Sequence, residues 1–430
     1  MNRILPFLFL LVMLNACSNK KIINPQDYNA ILSDDKRTEK QIKKINTEII
    51  FWQSRLVKDT GSFVDMLQLA SNHIKIFKTT GNVNELHTAD SLYTICLRKV
   101  RTTDPEIYFS YSQNAITQHR FKDAWQSLML ADSIGVNPFV LRLLKFDAAM
   151  EIGLYSLASK NIEEFQDKNS FDYLIRKAKL EDHKGRLDIA IALMEKALKE
   201  VELKGKQELV LWAKSNLADM YSHAGRVEDA YKNYVDVLKI DSNYLYALKG
   251  IAWIAFSHDH NTQEAKRILY YILSQINLPD LYLMLAEIAD WEKNKPEKDN
   301  CINKFLSIVE NPAYGNMYNK YLITIYTTNK NDLNKALTIA EKEVESRPTP
   351  ETFDWLAWVY YKKGDITKAY ELIKNNVIGK TFEPNSLLRT AYILKSHGKR
   401  RKSNKIFKEC LTSSFELGPI TTAEIKNQLN

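Results

Sequence analysis

An all-α fold, a right-handed α-solenoid of about ten helix-turn-helix repeats with capping helices, is what this sequence predicts, on three observations. A small residue recurs: Ala230, Ala265, Ala336, Ala369 and Ser403 are separated by 35, 71, 33 and 34 positions, the 71 spanning two periods with one poorly matching unit between. The clearest unit places Phe353, Leu356, Ala357 and Tyr360 at i, i+3, i+4 and i+7, which is one face of a helix. Only 13 glycines and 11 prolines in 430 residues leave little room for long loops or a turn-rich β architecture. One such helix pair cannot bury its apolar face alone, so the pairs must stack on one another.

The first element is a segment to be removed. Residues 1–17 carry Arg3, an apolar run through Leu14, and Ala16 directly before Cys17. The run is too short to span a bilayer, and the layout is that of an export signal. Leu14-Asn15-Ala16-Cys17 resembles the bacterial lipobox, although Asn15 departs from its usual Ala or Ser. The resemblance implies that Cys17 is the lipid-attachment site, and a cysteine bearing several acyl chains anchors stably. Ser18 is not the acidic residue of inner-membrane-retained lipoproteins, so the expected address is the outer membrane, facing the periplasm. Residues 18–33 read as a short polar tether.

Residues 34–58, with Ile42, Ile45, Ile49, Ile50 and Trp52 apolar, read as one amphipathic capping helix. The solenoid is expected over 62–414. In its best unit Gly364 ends the first helix, because glycine accepts the left-handed conformation a tight stop needs, and Ala369 lies where the second helix closes on the first. Leu217, Ala218, Tyr221, Gly225, Ala230, Tyr234 and Val237 repeat the scheme, and Pro348 closes a unit twelve residues after Ala336. This spacing resembles the tetratricopeptide repeat. Ala89, Ala124, Ala158 and Ala190, at intervals of 35, 34 and 32, extend the register towards the N-terminus. The interval of 40 before Ala230 is assigned to a longer helix end or loop over 201–208, and residues 415–430 to a C-terminal cap whose helix is Thr421 to Leu429.

The resemblance implies that the first helix of each unit lines a concave groove. Carried onto this chain, the partner-binding residues are Trp212, Tyr246, Lys249, Trp253, Phe256, Trp291, Lys320, Tyr321, Trp355, Trp358, Tyr361, Lys362, Arg389 and Tyr392. Aromatics interspersed with cations offer rigid contact area plus donors for carboxylate, which suits a peptide or protein segment. The carboxylate clamp of some members is not expected: Asn216 matches one of its places, but Asp219, Gly250 and Trp253 stand where Lys or Asn is wanted.

The rest excludes more than it assigns. The 60 basic and 52 acidic residues give a net charge of +8 but are well mixed, and the densest cluster, Lys399 to Lys402, occupies one turn, so nucleic acid is not an expected partner. Cys96, Cys301 and Cys410 have no metal-site spacing, and Cys96 and Cys410 each follow the recurring small residue by seven, a packing position. His119, His183, His223, His258 and His397 fall near intra-unit turns, where imidazole caps carbonyls at a helix C-terminus. No metalloprotease, nucleophile-elbow or P-loop motif occurs, so no catalysis, metal or small-molecule cofactor is expected. The expected function is a membrane-tethered, non-catalytic scaffold or adaptor for an envelope protein or peptide segment. The alternative is a glycan- or peptide-capturing lipoprotein of a nutrient-uptake system.

Overall fold

The computed structural model describes residues 21–34, 37–99, 106–135 and 137–430; Cys17 and the signal segment 1–17 lie outside them. After α1 (Asn29–Leu32) and α2 (Arg37–Lys58), ten helix pairs follow. They are α3 (Phe63–Thr80) with α4 (Asn84–Lys99), α5 (Glu106–Thr117) with α6 (Phe121–Ile134), α7 (Pro138–Glu151) with α8 (Tyr155–Glu163), and α9 (Phe171–His183) with α10 (Leu187–Leu203). Next come α11 (Gln207–His223) with α12 (Val227–Ile240), α13 (Leu245–Ser257) with α14 (Thr262–Gln275), and α15 (Asp280–Trp291) with α16 (Lys295–Val309). The last pairs are α17 (Asn319–Thr328) with α18 (Leu333–Ser346), α19 (Pro350–Lys362) with α20 (Ile366–Asn376), and α21 (Pro384–Ser396) with α22 (Arg400–Cys410), before α23 (Ser414–Leu429). Side-chain oxygens of Ser62, Ser170 and Thr349 accept from backbone amides in the first turns of α3, α9 and α19 and set where these helices begin. No helix among the described residues is long and apolar enough to cross a membrane.

The recurring small residue is where the helices of a pair close. Ala89, Ala124, Ala158, Ala190, Ala230, Ala265, Ala336, Ala369 and Ser403 are all fully buried. Ser403 keeps its hydroxyl satisfied by donating to Ala391 O at 2.7 Å. In the poorly matching unit the place, five residues after the left-handed residue of the turn, belongs to Lys298, whose ammonium pairs with Asp290 at 2.8 Å. Cys301, three residues further along α16, is 4% exposed and packs as a small apolar side chain. The 40-residue interval before Ala230 is absorbed by helix, since α10 and α11 are each 17 residues long.

Every intra-pair turn holds one residue in the left-handed region. It is a glycine in six turns and His119, His260, Lys293 and Asn331 in the other four. A pattern that looks for glycine therefore misses four of the stops.

The stack coils until it meets itself. Asn277 N donates to Thr80 O at 2.9 Å, and a Cβ on Gly81 would fall 2.0 Å from Asn277 O. Val83, Leu86 and Tyr314 form one buried cluster across the same joint. A Cβ on Gly153 would lie 3.1 Å from Pro348 O, one on Gly185 would lie 2.6 Å from the Phe382 ring, and His223 Nδ1 is 2.6 Å from Glu416 Oε2. The partners keep a near-constant interval of 193 to 197 positions: 81 with 277, 153 with 348, 185 with 382 and 223 with 416. Intra-pair turns of the first coil thus rest on inter-pair loops of the second, and about six pairs complete one superhelical turn.

Both ends are tied into this coil. From Ile22 onward the stretch 18–33 is not a free tether. Ile22 N and Ile23 N donate to the Asp259 carboxylate at 3.1 and 3.0 Å, Asn24 N donates to Tyr231 Oη, and Tyr28, 1% exposed, donates its hydroxyl to Glu264 at 2.7 Å. Tyr28 is a large side chain that gains burial only by docking, which is why the segment lies along α12 and α14. In α2, Ile45 and Ile49 pack on Leu69 and Ile76, whereas Ile50, expected on the apolar face, is 66% exposed, a position away from the i, i+4 stripe. α23 is broken at Gly418 (φ 79, ψ 167), and its Leu417 and Ile425 cover Ala391 and Phe407 of the last pair.

Candidate functional site

The inner wall of the coil is lined by first helices, and its centre lies at α11, α13 and α15. Tyr246 is half exposed, and its hydroxyl donates to Asp219 Oδ2 at 2.6 Å, while Tyr234 donates to Asp219 Oδ1 at 2.5 Å. Burial pushes the Asp219 carboxyl above its usual range against those two hydrogen bonds. Lys249 pairs with Asp280; burial opposes its charge, but Asp280 outweighs burial and holds the ammonium above its ordinary value. Trp253 donates Nε1 to Phe415 O at 3.1 Å, so the start of α23 sits against this wall.

Three cavities open around it. One of about 240 Å³ is bounded by Asp219, Tyr234, Tyr246, Trp253, Met284 and Phe415. A second of about 890 Å³ shares Tyr246 and Lys249 with the first and runs towards Ile45 and Lys75 on α2 and α3, so the two adjoin at these side chains. A third, about 560 Å³, lies between the two coils and carries Glu151, Asp182, Glu351, Glu383 and Glu416 against Lys179 and Arg347. Burial and the neighbouring carboxylates raise Glu383, while Lys179 and Arg347 overcome burial and hold Glu151 low. His223, at the junction of the first and third cavities, is pushed up to about 9: burial disfavours its charge, but the hydrogen bond and charge of Glu416 outweigh it.

Of the groove residues expected from the sequence, Tyr246, Lys249 and Trp253 line these cavities, and Trp212 and Tyr321 are partly exposed on neighbouring first helices. Trp358, Tyr361, Lys362 and Tyr392 form a second group. Trp358 stacks on Tyr361 at 4.9 Å, Lys362 Nζ lies 4.9 Å over the Trp358 ring, and Tyr392 packs at 6.1 Å. Three expectations fail. Phe256 is fully buried and Trp355 is 3% exposed, because each lies on the side of its helix that packs within the stack, so neither meets a partner. Trp291 stacks on His260 at 5.5 Å, at an intra-pair turn rather than on the inner wall.

The cations are also less available than their sequence positions imply. Lys249 is held by Asp280, and Arg389 by the fully buried Asp354, each on the first helix of an adjacent unit; only Lys320, 3.8 Å from Glu351, and Lys362 remain as exposed cations. The histidines serve the joint between coils or stack on neighbouring rings more than they cap: His223 pairs with Glu416, His183 stacks on Tyr155 at 4.0 Å and His397 on Tyr370 at 3.8 Å. His258 lies 2.8 Å from Asp259, and no group of metal-ligating side chains is assembled among the described residues. Sequence reasoning gave Asp219 no part in the site, and it missed Asp280 and the carboxylates of the third cavity, the last of which are assembled where the second coil lands on the first.

No protein-family model matches the chain, and no curated protein matches it. Among solved structures it is similar to human IFIT1, solved as a dimer with PPP-AAAA, at 14% identity and TM-score 0.47 over 73% of this chain and 72% of that one. It is also similar to a tetratricopeptide repeat protein from Parabacteroides merdae, at 16% identity and TM-score 0.34 over 60% of this chain and 97% of that one. A third is YrrB, described as a TPR protein with an unusual peptide-binding site, at 14% identity and TM-score 0.27 over 46% and 95%. Likenesses this distant assign no partner to the present chain.

Proposed function

We propose that the protein is a non-catalytic scaffold, tethered by a lipid on Cys17 to the outer membrane and facing the periplasm, that holds a segment of an envelope protein inside its coil. The observation that carries this reading is the pair of adjoining cavities at Tyr246 and Lys249, walled by an aromatic ring left half exposed. Rigid aromatics around a concave wall supply contact area at low entropic cost. Lys249 is already neutralised by Asp280, so this wall offers a partner segment aromatic contact and hydrogen-bonding groups rather than a free cation for a carboxylate.

The test is a photo-crosslinking residue at position 246 in intact cells, with position 270 as control, since Tyr246 and Tyr270 are both 50% exposed but Tyr270 lies on a second helix and lines none of the three cavities. One discrete protein adduct at 246 and none at 270 supports the scaffold. Equal or absent adducts at both positions, with oligosaccharide retained on a glycan array, would replace it with ligand capture. The anchor is tested separately: Cys17→Ala should release the chain from the membrane fraction, and undiminished retention contradicts lipidation.

A further inference from the structure

We infer that the exposed turn edge of the second coil is a membrane-facing surface that docks on anionic lipid headgroups. Two independent features meet on this edge. The first is charge. The intra-pair turns at Gly81, Gly153 and Gly185 rest on the second coil, whereas those from α15 onward are exposed, and they present Lys293, Lys330, Lys363 and the run from Lys399 to Lys402. The acids at the same turns are Glu292, already paired with Lys266, Asp332 and Asp365. The loop edge at the opposite end of the coil is mixed instead, with Asp59, Asp167 and Asp241 beside Lys168, Lys204 and Lys206. The basic run that looked isolated in the sequence is one part of a surface assembled by stacking.

The second feature is where the chain comes in. Ile22 and Ile23 are fixed by their backbone amides to Asp259, which lies in the α13/α14 turn on this same edge. Four residues lie between Cys17 and Ile22, and this five-step link reaches at most about 18 Å when fully extended. A lipid on Cys17, on which this part of the argument rests, therefore holds the bilayer surface beside the basic edge and not beside the loop edge. A surface of clustered Lys and Arg held next to anionic headgroups is attracted to them. The same cations would also attract a nucleic acid, but the entry of the chain at Asp259 favours the membrane.

The experiment separates the surface from the anchor. The chain beginning at residue 17, which contains every described residue, is prepared with Cys17→Ala and therefore without acyl chains. It is sedimented with phosphatidylcholine vesicles with and without phosphatidylglycerol. Binding is expected only to the anionic vesicles and should fall as salt is raised. Arg400→Glu with Arg401→Glu should lower the partition more than ten-fold, at roughly five-fold for each cation removed from the surface. Lys168→Glu with Lys206→Glu, on the opposite edge, should leave it unchanged. Lys330→Gln with Lys363→Gln provides a second variant if the first is misfolded by circular dichroism. Equal binding to both vesicle types, equal loss from the opposite-edge variant, or binding of single-stranded RNA with no vesicle binding would each overturn the proposal. Absence of an acyl chain on the wild-type protein by mass spectrometry would instead refute the anchor.

Discussion

Two glycine-to-alanine substitutions separate the backbone requirement of a turn from the requirement that the coils touch. Gly81 and Gly364 both occupy left-handed positions in intra-pair turns, at φ +72 and +86. Alanine in that conformation costs about 1 kcal/mol at either site. At Gly364 nothing lies within 4 Å of the added Cβ, so the backbone cost is the whole effect. At Gly81 the Cβ would lie 2.0 Å from Asn277 O, and backbone atoms cannot swing aside as a flexible side chain can. The joint must open, breaking the Asn277 to Thr80 hydrogen bond, worth about 1 kcal/mol, and loosening the Val83, Leu86 and Tyr314 cluster by a further 1 kcal/mol or so. Gly81→Ala should therefore destabilise the joint by about 3 kcal/mol and Gly364→Ala its own turn by about 1. Long arrays need not unfold in one step, so the assay is native-state hydrogen exchange, read at amides 77–86 and 277 for the first variant and 360–369 for the second. Equal losses of protection in the two variants would refute the contact between coils.

Two further outcomes follow from the packing and the charges. Ala265→Ser should be nearly neutral in urea unfolding, since Ser403 fills the same place in the last pair, whereas Ala265→Leu should cost about 1 to 3 kcal/mol, because the fully buried position admits only a small side chain; equal tolerance of both would place the helix contact elsewhere. His223 is raised to about 9 by Glu416, so its contribution to holding the C-terminal segment is complete below its unfolded value of about 6.5 and is lost as pH rises through 9. A spin label at position 412 should gain mobility over that window and lose the pH dependence in His223→Gln; constant mobility from low to high pH would remove the latch.

The period was legible because packing two helices admits only a small residue at the crossing, and nine such positions keep their spacing through weak copies of the repeat. The α15/α16 unit escaped because the register was sought in Ala and Ser and Lys298 holds the place there, and four turns escaped because His119, His260, Lys293 and Asn331 adopt the conformation usually left to glycine. The groove was legible only in part. Helical spacing places Trp253 and Phe256 three residues apart on neighbouring stripes, yet one is partly exposed and the other fully buried, and that difference is decided by the adjacent unit. The contacts between coils carry no local signal at all, since their partners are nearly two hundred residues apart. For the same reason the docking of Tyr28 and the acidic lining between the coils could not be read from any single repeat.

The claim on which the cavity between the coils and the basic edge both depend is that the solenoid coils back onto itself, and a pulsed dipolar distance between spin labels at positions 184 and 383 tests it most directly. Both side chains are exposed, and they flank the contact between Gly185 and the Phe382 ring. The coil predicts a narrow distribution centred below about 25 Å, a helix-width separation plus the label arms. A stack that failed to close would set the two labels about six helix pairs apart, beyond roughly 40 Å at 8 to 10 Å between neighbouring axes, and a distribution centred there would contradict the account.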